Sequence, residues 1–138
     1  MKILLGTNIF LDILLQRSPF FQDSQRIFKM AENRLALGYI APITINNIAY
    51  IARKSRQPDQ IRKYIVTIAE IFTICQMNAA VVTKAAALDF TDIEDSLQAA
   101  MAESNDCDFI ITSNISDYQN SPVPVLTAAA FLEQFTSP

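Results

Sequence analysis

Glu94 and Asp95 stand side by side at the head of the stretch IEDSLQAAMA, and Asn114 and Asp117 lie in the polar run TSNISDY that follows the apolar Phe109-Ile110-Ile111. Carboxyl and amide oxygens gathered from two such segments suit a hard divalent cation, Mg²⁺ or Mn²⁺. The chain contains no histidine. That removes the commonest general base and every triad built on it, so any catalysis must rest on carboxylates, lysines or a metal.

These groups need elements to bring them together. Thr91 followed three residues later by Glu94 has the form of a capping box, which predicts a helix running to about Asn105 with Asp95 in its first turn. Ile93, Leu97, Ala100, Met101 and Ser104 form one stripe on it. Asp95, Ala99 and Ala102 form a second stripe of small residues. Phe109 to Ile111 reads as a short buried strand, and residues 112–117 as the loop leaving it. A helix that crosses between parallel strands runs antiparallel to them, so its first turn lies over the edge where the strands end. Asp95, Asn114 and Asp117 are therefore expected at one edge, the edge at which open α/β sheets bind ligands. A competing account stays open: Asp92, Glu94 and Asp95 are also the charges a helix dipole favours in a first turn.

The remaining segments follow the same alternation. Lys2 to Leu5 reads as a buried strand stopped by Gly6-Thr7-Asn8. Ile9, Phe10, Ile13 and Leu14 then fall at helical spacing with Asp12 on the other face. Ser18 and Pro19 are expected to cap and open a second helix ending near Asn33. Leu35 to Ile40 and Phe72 to Cys75 read as strands, and Pro42 to Lys54 and the segment from Pro58 as helices. The first turns of the Pro42 helix add Asn46 or Asn47 to the same edge. Asn78 caps a helix over residues 79–88, Ser121 to Leu126 is a proline-bounded edge strand, and Thr127 caps the last helix. Five short strands alternating with amphipathic helices predict a three-layer α/β/α domain, residues 1–138, with a mainly parallel five-stranded sheet.

Composition bounds the rest. In 138 residues, 51 % hydrophobic content is enough for one packed core. Cys75 and Cys107 lack paired metal-ligand spacing and read as free buried thiols of a reducing compartment. No apolar run approaches about 18 residues, so a cytoplasmic protein without a membrane span is expected. The net charge of −3 argues against a broad basic nucleic-acid surface. Local contacts from Arg53, Lys54, Arg56, Arg62 and Lys63 remain open, and a basic protein partner would suit the charge.

The segments MKILLGTNIFLDILLQR, IEDSLQAAMA, FIITSNISDY and VPVLTAAAFLEQF, in this order, resemble PIN domains, and most closely the VapC-type toxins of bacterial toxin–antitoxin pairs. The resemblance covers essentially the whole chain. It implies an endoribonuclease that uses Mg²⁺ or Mn²⁺ on an RNA substrate, pairs as a homodimer and is held inactive by a cognate antitoxin. Under it Asp95 matches the helix carboxylate and Asp117 or Asn114 the acidic position after the fourth strand, with Asp95 and Asp117 as metal ligands. Thr7, Asn8 and Thr112 match supporting polar positions, and Glu94 either contributes or only caps.

Two positions depart from the family pattern. Gly6 stands where the family has its first aspartate, and Asn47 or a neighbour where many members have a glutamate. An engineered change, one selected against toxicity to the host, and a natural pseudo-enzyme all fit Gly6. The expectation is weak metal binding and poor RNA cleavage. The alternative is a catalytically dead PIN-like module that binds RNA or a protein partner. A phosphate-binding regulator of response-regulator type is disfavoured, because the chain lacks a suitably placed strand-end aspartate and a matching lysine.

Overall fold

On the first strand, β1 (Lys2–Leu5), Ile3 and Leu5 point to one side and Leu4 to the other, which divides the core into two halves. This is the period-two alternation of a strand covered on both faces. The computed structural model describes residues 1–136. After β1 come α1 (Thr7–Leu14), α2 (Phe21–Glu32), β2 (Leu37–Ile40), α3 (Pro42–Ala52), α4 (Pro58–Ile71) and β3 (Thr73–Ile74). Then follow α5 (Ala79–Ala87), α6 (Ile93–Ser104), β4 (Phe109–Ile111), a short 3-10 turn (Ile115–Tyr118), β5 (Val125–Leu126) and α7 (Ala128–Phe135). The five strands lie in the order β3-β2-β1-β4-β5, and every pairing is parallel.

One half of the core joins Ile3, Leu5 and Ile111 of the sheet to side chains of α1, α2, α3, α4 and α7. The other joins Leu4 and Ile110 to α5 and α6. The result is the expected three-layer α/β/α arrangement. Ala99, Ala100, Met101 and Ala102 of α6 are all completely buried. Small side chains let this helix lie close to the sheet on one side and to α5 on the other. Among the described residues no helix is long and apolar enough to cross a membrane.

Several boundaries moved for identifiable reasons. Asp92, not Thr91, caps α6: its carboxylate accepts from the backbone N–H of Glu94 at 2.7 Å and of Asp95 at 3.2 Å. A carboxylate in this place satisfies two free donors and also meets the positive end of the helix dipole. Ile93, expected on the buried stripe, is exposed. Helix α2 starts at Phe21 and not at Pro19, because the carbonyl of Arg17 takes the amides of both Phe20 and Phe21 and closes a turn first. Asp12, expected on the face of α1 away from its apolar stripe, is only 2 % exposed. Cys75 and Cys107 are free and buried, and burial pushes their thiols up to about 11 and about 12.

Gly38 in β2 shows how tight the larger half of the core is. A β-carbon there would lie inside the van der Waals radius of the Phe72 ring and 3.1 Å from Ala31. Phe72 cannot retreat easily, since it is packed against Phe10 and Phe28 with ring centroids 5.1 and 5.3 Å away. Gly38→Ala is expected to destabilise by about 1–3 kcal/mol, the usual cost of overpacking. Urea unfolding checks this, and adding Phe72→Leu should recover part of the loss. An unchanged midpoint for Gly38→Ala would show that the ring is not held there.

Candidate functional site

The strand order leaves one place on the sheet edge uncovered. From β1 the chain winds outward to β2 and β3, while β4 and β5 lie on the opposite side, so the connections part at the C-terminal ends of β1 and β4. That switch point is where a doubly wound sheet forms a crevice. The backbone N–H of Gly6 donates to the carbonyl of Ile111 at 2.9 Å, and that of Thr112 donates to Leu126 at 3.0 Å. The first residues beyond both strands are thus fixed by continuing the ladder.

A cleft of about 360 Å³ opens there. Gly6, Thr7 and Asn8 enter it from the start of α1, Asn47 and Tyr50 from α3, and Glu94, Asp95 and Gln98 from α6. Thr112, Asn114 and Tyr118 close it from the loop after β4. Gly6, Thr7, Asn8, Asn47, Glu94, Asp95, Thr112 and Asn114 thus line one cleft. Asp117 does not line this cleft. It faces an adjoining cavity with Asp89, Asp92 and Asp95, and Asp95 alone is common to the two. Of the open pairs, Asn114 is the residue after β4 that reaches the cleft, and Asn47 is favoured over the exposed Asn46.

Several polar groups in the cleft are held by a neighbour. Tyr118 donates its hydroxyl to Asp95 Oδ1 at 3.1 Å, and Asn47 donates its amide to Glu94 Oε1. Glu94 thus turns toward α3 and takes no part in capping. Thr7 and Thr44 share a hydroxyl hydrogen bond at 3.1 Å, and the amide of Asn114 donates to Thr112 Oγ1 at 3.2 Å. Burial raises the carboxyl of Asp95 above the ordinary range. The Tyr118 hydrogen bond pulls it back, and the charges of Asp92, Asp117 and Glu94 push it further up. The Tyr118 hydroxyl is itself raised, by burial first and then by Asp95, so at neutral pH it stays a donor.

Sequence reading missed Tyr118 and Gln98. Gln98 had a signal: it lies three residues after Asp95 and four after Glu94, so helical spacing puts it on their face. It is 2 % exposed, and its Oε1 has no hydrogen-bond partner. For a divalent cation these residues fit in kind, because every donor is oxygen and hard. They fall short in charge: among the described residues no group of three or more His, Cys, Asp or Glu side chains could hold a metal ion. At Gly6, where φ is −72° and ψ 164°, there is room for a side chain. A β-carbon would meet Ile111 O at 3.4 Å and Thr112 Cβ and Oγ1 at 3.6 Å, ordinary contacts.

Behind Asn8 lies a half-buried ion pair. Arg17 contacts Asp12 at 3.0 Å and donates to both the carbonyl and the side-chain oxygen of Asn8 at 3.4 Å, while Ser24 donates to the second Asp12 oxygen. Burial pushes the Asp12 carboxyl up; the Arg17 charge and the hydrogen bonds from Ser24 and Arg17 draw it only part of the way back. A carboxyl raised in the fold contributes its full stability below its unfolded pKa and loses it as pH rises through the folded value. Arg17→Met should enlarge that loss. About 2 kcal/mol of destabilisation is expected at pH 7.5, less than for a fully enclosed pair because the Arg17 side chain is 39 % exposed. Urea unfolding at pH 4.5 should show a smaller difference, and equal differences at both pH values would argue against the buried charge as the cause.

The same architecture occurs in solved bacterial complexes. A chain of VapBC2 from Rickettsia felis, bound to a DNA fragment from its promoter, superposes with a TM-score of 0.69 at 18 % identity, over 92 % of this chain and 98 % of that one. A toxin–antitoxin complex from Klebsiella pneumoniae gives 0.72 at 21 %, covering 91 % and 97 %. DNA-bound VapBC from Salmonella typhimurium gives 0.72 at 16 %, covering 93 % and 98 %. A search of curated proteins finds no match. At these identities the likeness is one of fold. The sequence itself matches the profile of the PIN domain over residues 2–116, and the chain belongs to the PIN domain family.

Proposed function

We propose that this chain is a Mg²⁺- or Mn²⁺-dependent endoribonuclease of VapC toxin type, impaired in its present sequence because Gly6 replaces a metal-site aspartate. The observation that carries the reading is the open cradle at Gly6: an L-residue's backbone angles, space for a side chain, and Asp95 in the same cleft. With a cation bound, the cleft would gain a water of lowered pKa and a positive charge against the phosphate. Asp95 and Glu94 would hold it, with Asp117 on the adjoining cavity as a further carboxylate. Tyr118 fixes the Asp95 oxygen, Asn47 fixes Glu94, and Arg17 fixes Asn8.

An antitoxin partner, a homodimer and a cytoplasmic setting go with this reading. The support is the family and the fold shared with chains of toxin–antitoxin complexes. A second reading has its own observation: the described residues contain no complete metal-binding cluster, which favours a catalytically silent module that binds RNA or a protein. Cleavage of mixed RNA with Mg²⁺ or Mn²⁺ by the chain, by Gly6→Asp and by Gly6→Asp/Asp95→Asn separates the two.

A further inference from the structure

Helix α3 carries a stripe that leads out of the cleft. Asn47 lies inside it, Tyr50 stands three residues further on its lining, and Arg53, three residues further again and still helical in backbone, lies beyond. Helical spacing puts the three on one face, with Lys54 next to Arg53. Tyr50 is 63 % exposed, and the Arg53 guanidinium sits over its ring, 3.7 Å from the centroid. Arg53 also donates to the Tyr50 carbonyl, which holds the two side chains stacked. One ring face is covered by a cation, and the exposure leaves the other open.

The charge around this pair runs against that of the chain. Arg53, Lys54, Arg56, Arg62 and Lys63 fall between the end of α3 and the second turn of α4, with Asp59 as the acid among them, in a protein of net charge −3. Arg62 pairs with Asp59, and among the described residues no carboxylate pairs with Arg53, Lys54, Arg56 or Lys63. The dipole of α3 favours a cation at its last turn, but it calls for neither this number nor an exposed aromatic ring. Phosphates and unstacked bases call for both. Glu94 and Asp95, on the α6 wall that faces Asn47, repel phosphate, so a strand in the cleft has to run along α3.

We infer that single-stranded RNA enters the cleft along the Tyr50 and Arg53 face of α3, with a base on the open side of Tyr50 and phosphates on Arg53 and Lys54. A duplex keeps its bases stacked on one another and offers none to the ring. The ligand is taken from the proposed function. The contact itself needs no metal, so it holds for a nuclease and for a silent RNA-binding module alike.

The test is fluorescence anisotropy of a labelled single-stranded RNA of mixed sequence with the full chain, in EDTA so that nothing is cut, at several salt concentrations. Tyr50→Ala should weaken binding about tenfold, the scale of one base–aromatic stack, while Tyr50→Phe binds as the parent does. Arg53→Ala/Lys54→Ala should also weaken it, and should flatten the slope of log affinity against log salt by about 1.4, since each phosphate contact on a single strand accounts for about 0.7. Arg26→Ala/Lys29→Ala removes the same charge from exposed positions on α2 that line a separate cavity. It should leave the affinity within about twofold, because charges far from the strand are screened. All these side chains are exposed, so the variants should unfold at the parent's temperature. If RNA binds but Tyr50→Ala and Arg53→Ala/Lys54→Ala hold it as tightly as the parent, the strand takes another route and the inference is overturned while the RNA reading stands. If the α2 pair loses as much as the α3 pair, net charge and not this face attracts RNA, and the inference is again overturned. If the parent binds no RNA even at low salt, the RNA reading falls and the inference with it, leaving the basic face to an acidic protein partner.

Discussion

Gly6→Asp is expected to raise Mg²⁺- or Mn²⁺-dependent RNA cleavage by at least about 100-fold, the scale on which a single preorganised group in an active site acts. The backbone at position 6 asks nothing unusual of an aspartate, since its angles are those of an extended residue. Its β-carbon meets Ile111 and Thr112 at ordinary contact distances, so the gain comes without repacking. The added charge will join Asp95, whose carboxyl is already raised by burial and then by the charges of Asp92, Asp117 and Glu94. Without metal the variant should therefore be slightly less stable than its parent, by about 1 kcal/mol, and metal should reverse the sign. Asp95→Asn in the same background should return cleavage to the parent's level. Silence of Gly6→Asp, in a protein that unfolds cooperatively, would favour the binding-module reading.

How far the sequence revealed this site depends on which interactions are local. The strand β1, the Asn78 and Thr127 caps and the helical heads of α3 and α4 follow from turn chemistry and apolar spacing, and the structure keeps them. That Asp95 and Asn114 lie at one edge was also legible, because a parallel sheet forces crossover helices to begin at the edge where strands end. What was hidden depends on partners distant in sequence. Thr91 and Asp92 are equally good caps on paper, and only the backbone turn selects Asp92. Asp12 looks like a solvent-facing charge until α2 places Ser24 beside it and Arg17 folds back over it. Asp117 and Asn114 sit three residues apart, and the 3-10 turn after Asn114 carries Asp117 round to the adjoining cavity. Propensity does not foretell a single turn of that kind.

Phe10→Ala is expected to have the largest effect on stability, a loss of about 3–5 kcal/mol, a large share of the roughly 5–15 kcal/mol that holds a typical domain folded. Phe10 is completely buried, and its ring meets Phe72 and Phe28 edge-on at 5.1 and 6.4 Å. Truncation would remove both aromatic contacts and open a cavity under α1 that its neighbours cannot fill, because Phe72 is also wedged against Gly38. The Phe10 carbonyl would still accept from Tyr64 at 2.7 Å, so the helix keeps one tether to α4 while losing its packing. Phe10→Leu preserves most of the volume and should cost only about 1–1.5 kcal/mol. Urea unfolding of the two variants gives the comparison directly. Equal losses would mean that ring geometry, not volume, holds α1 in place. Because α1 begins with Thr7 and Asn8, the Ala variant in a Gly6→Asp background should also bind Mn²⁺ more weakly, even below its unfolding midpoint. Loosening a helix two residues from the cleft widens the positions its oxygens can take, and an ion needs them fixed.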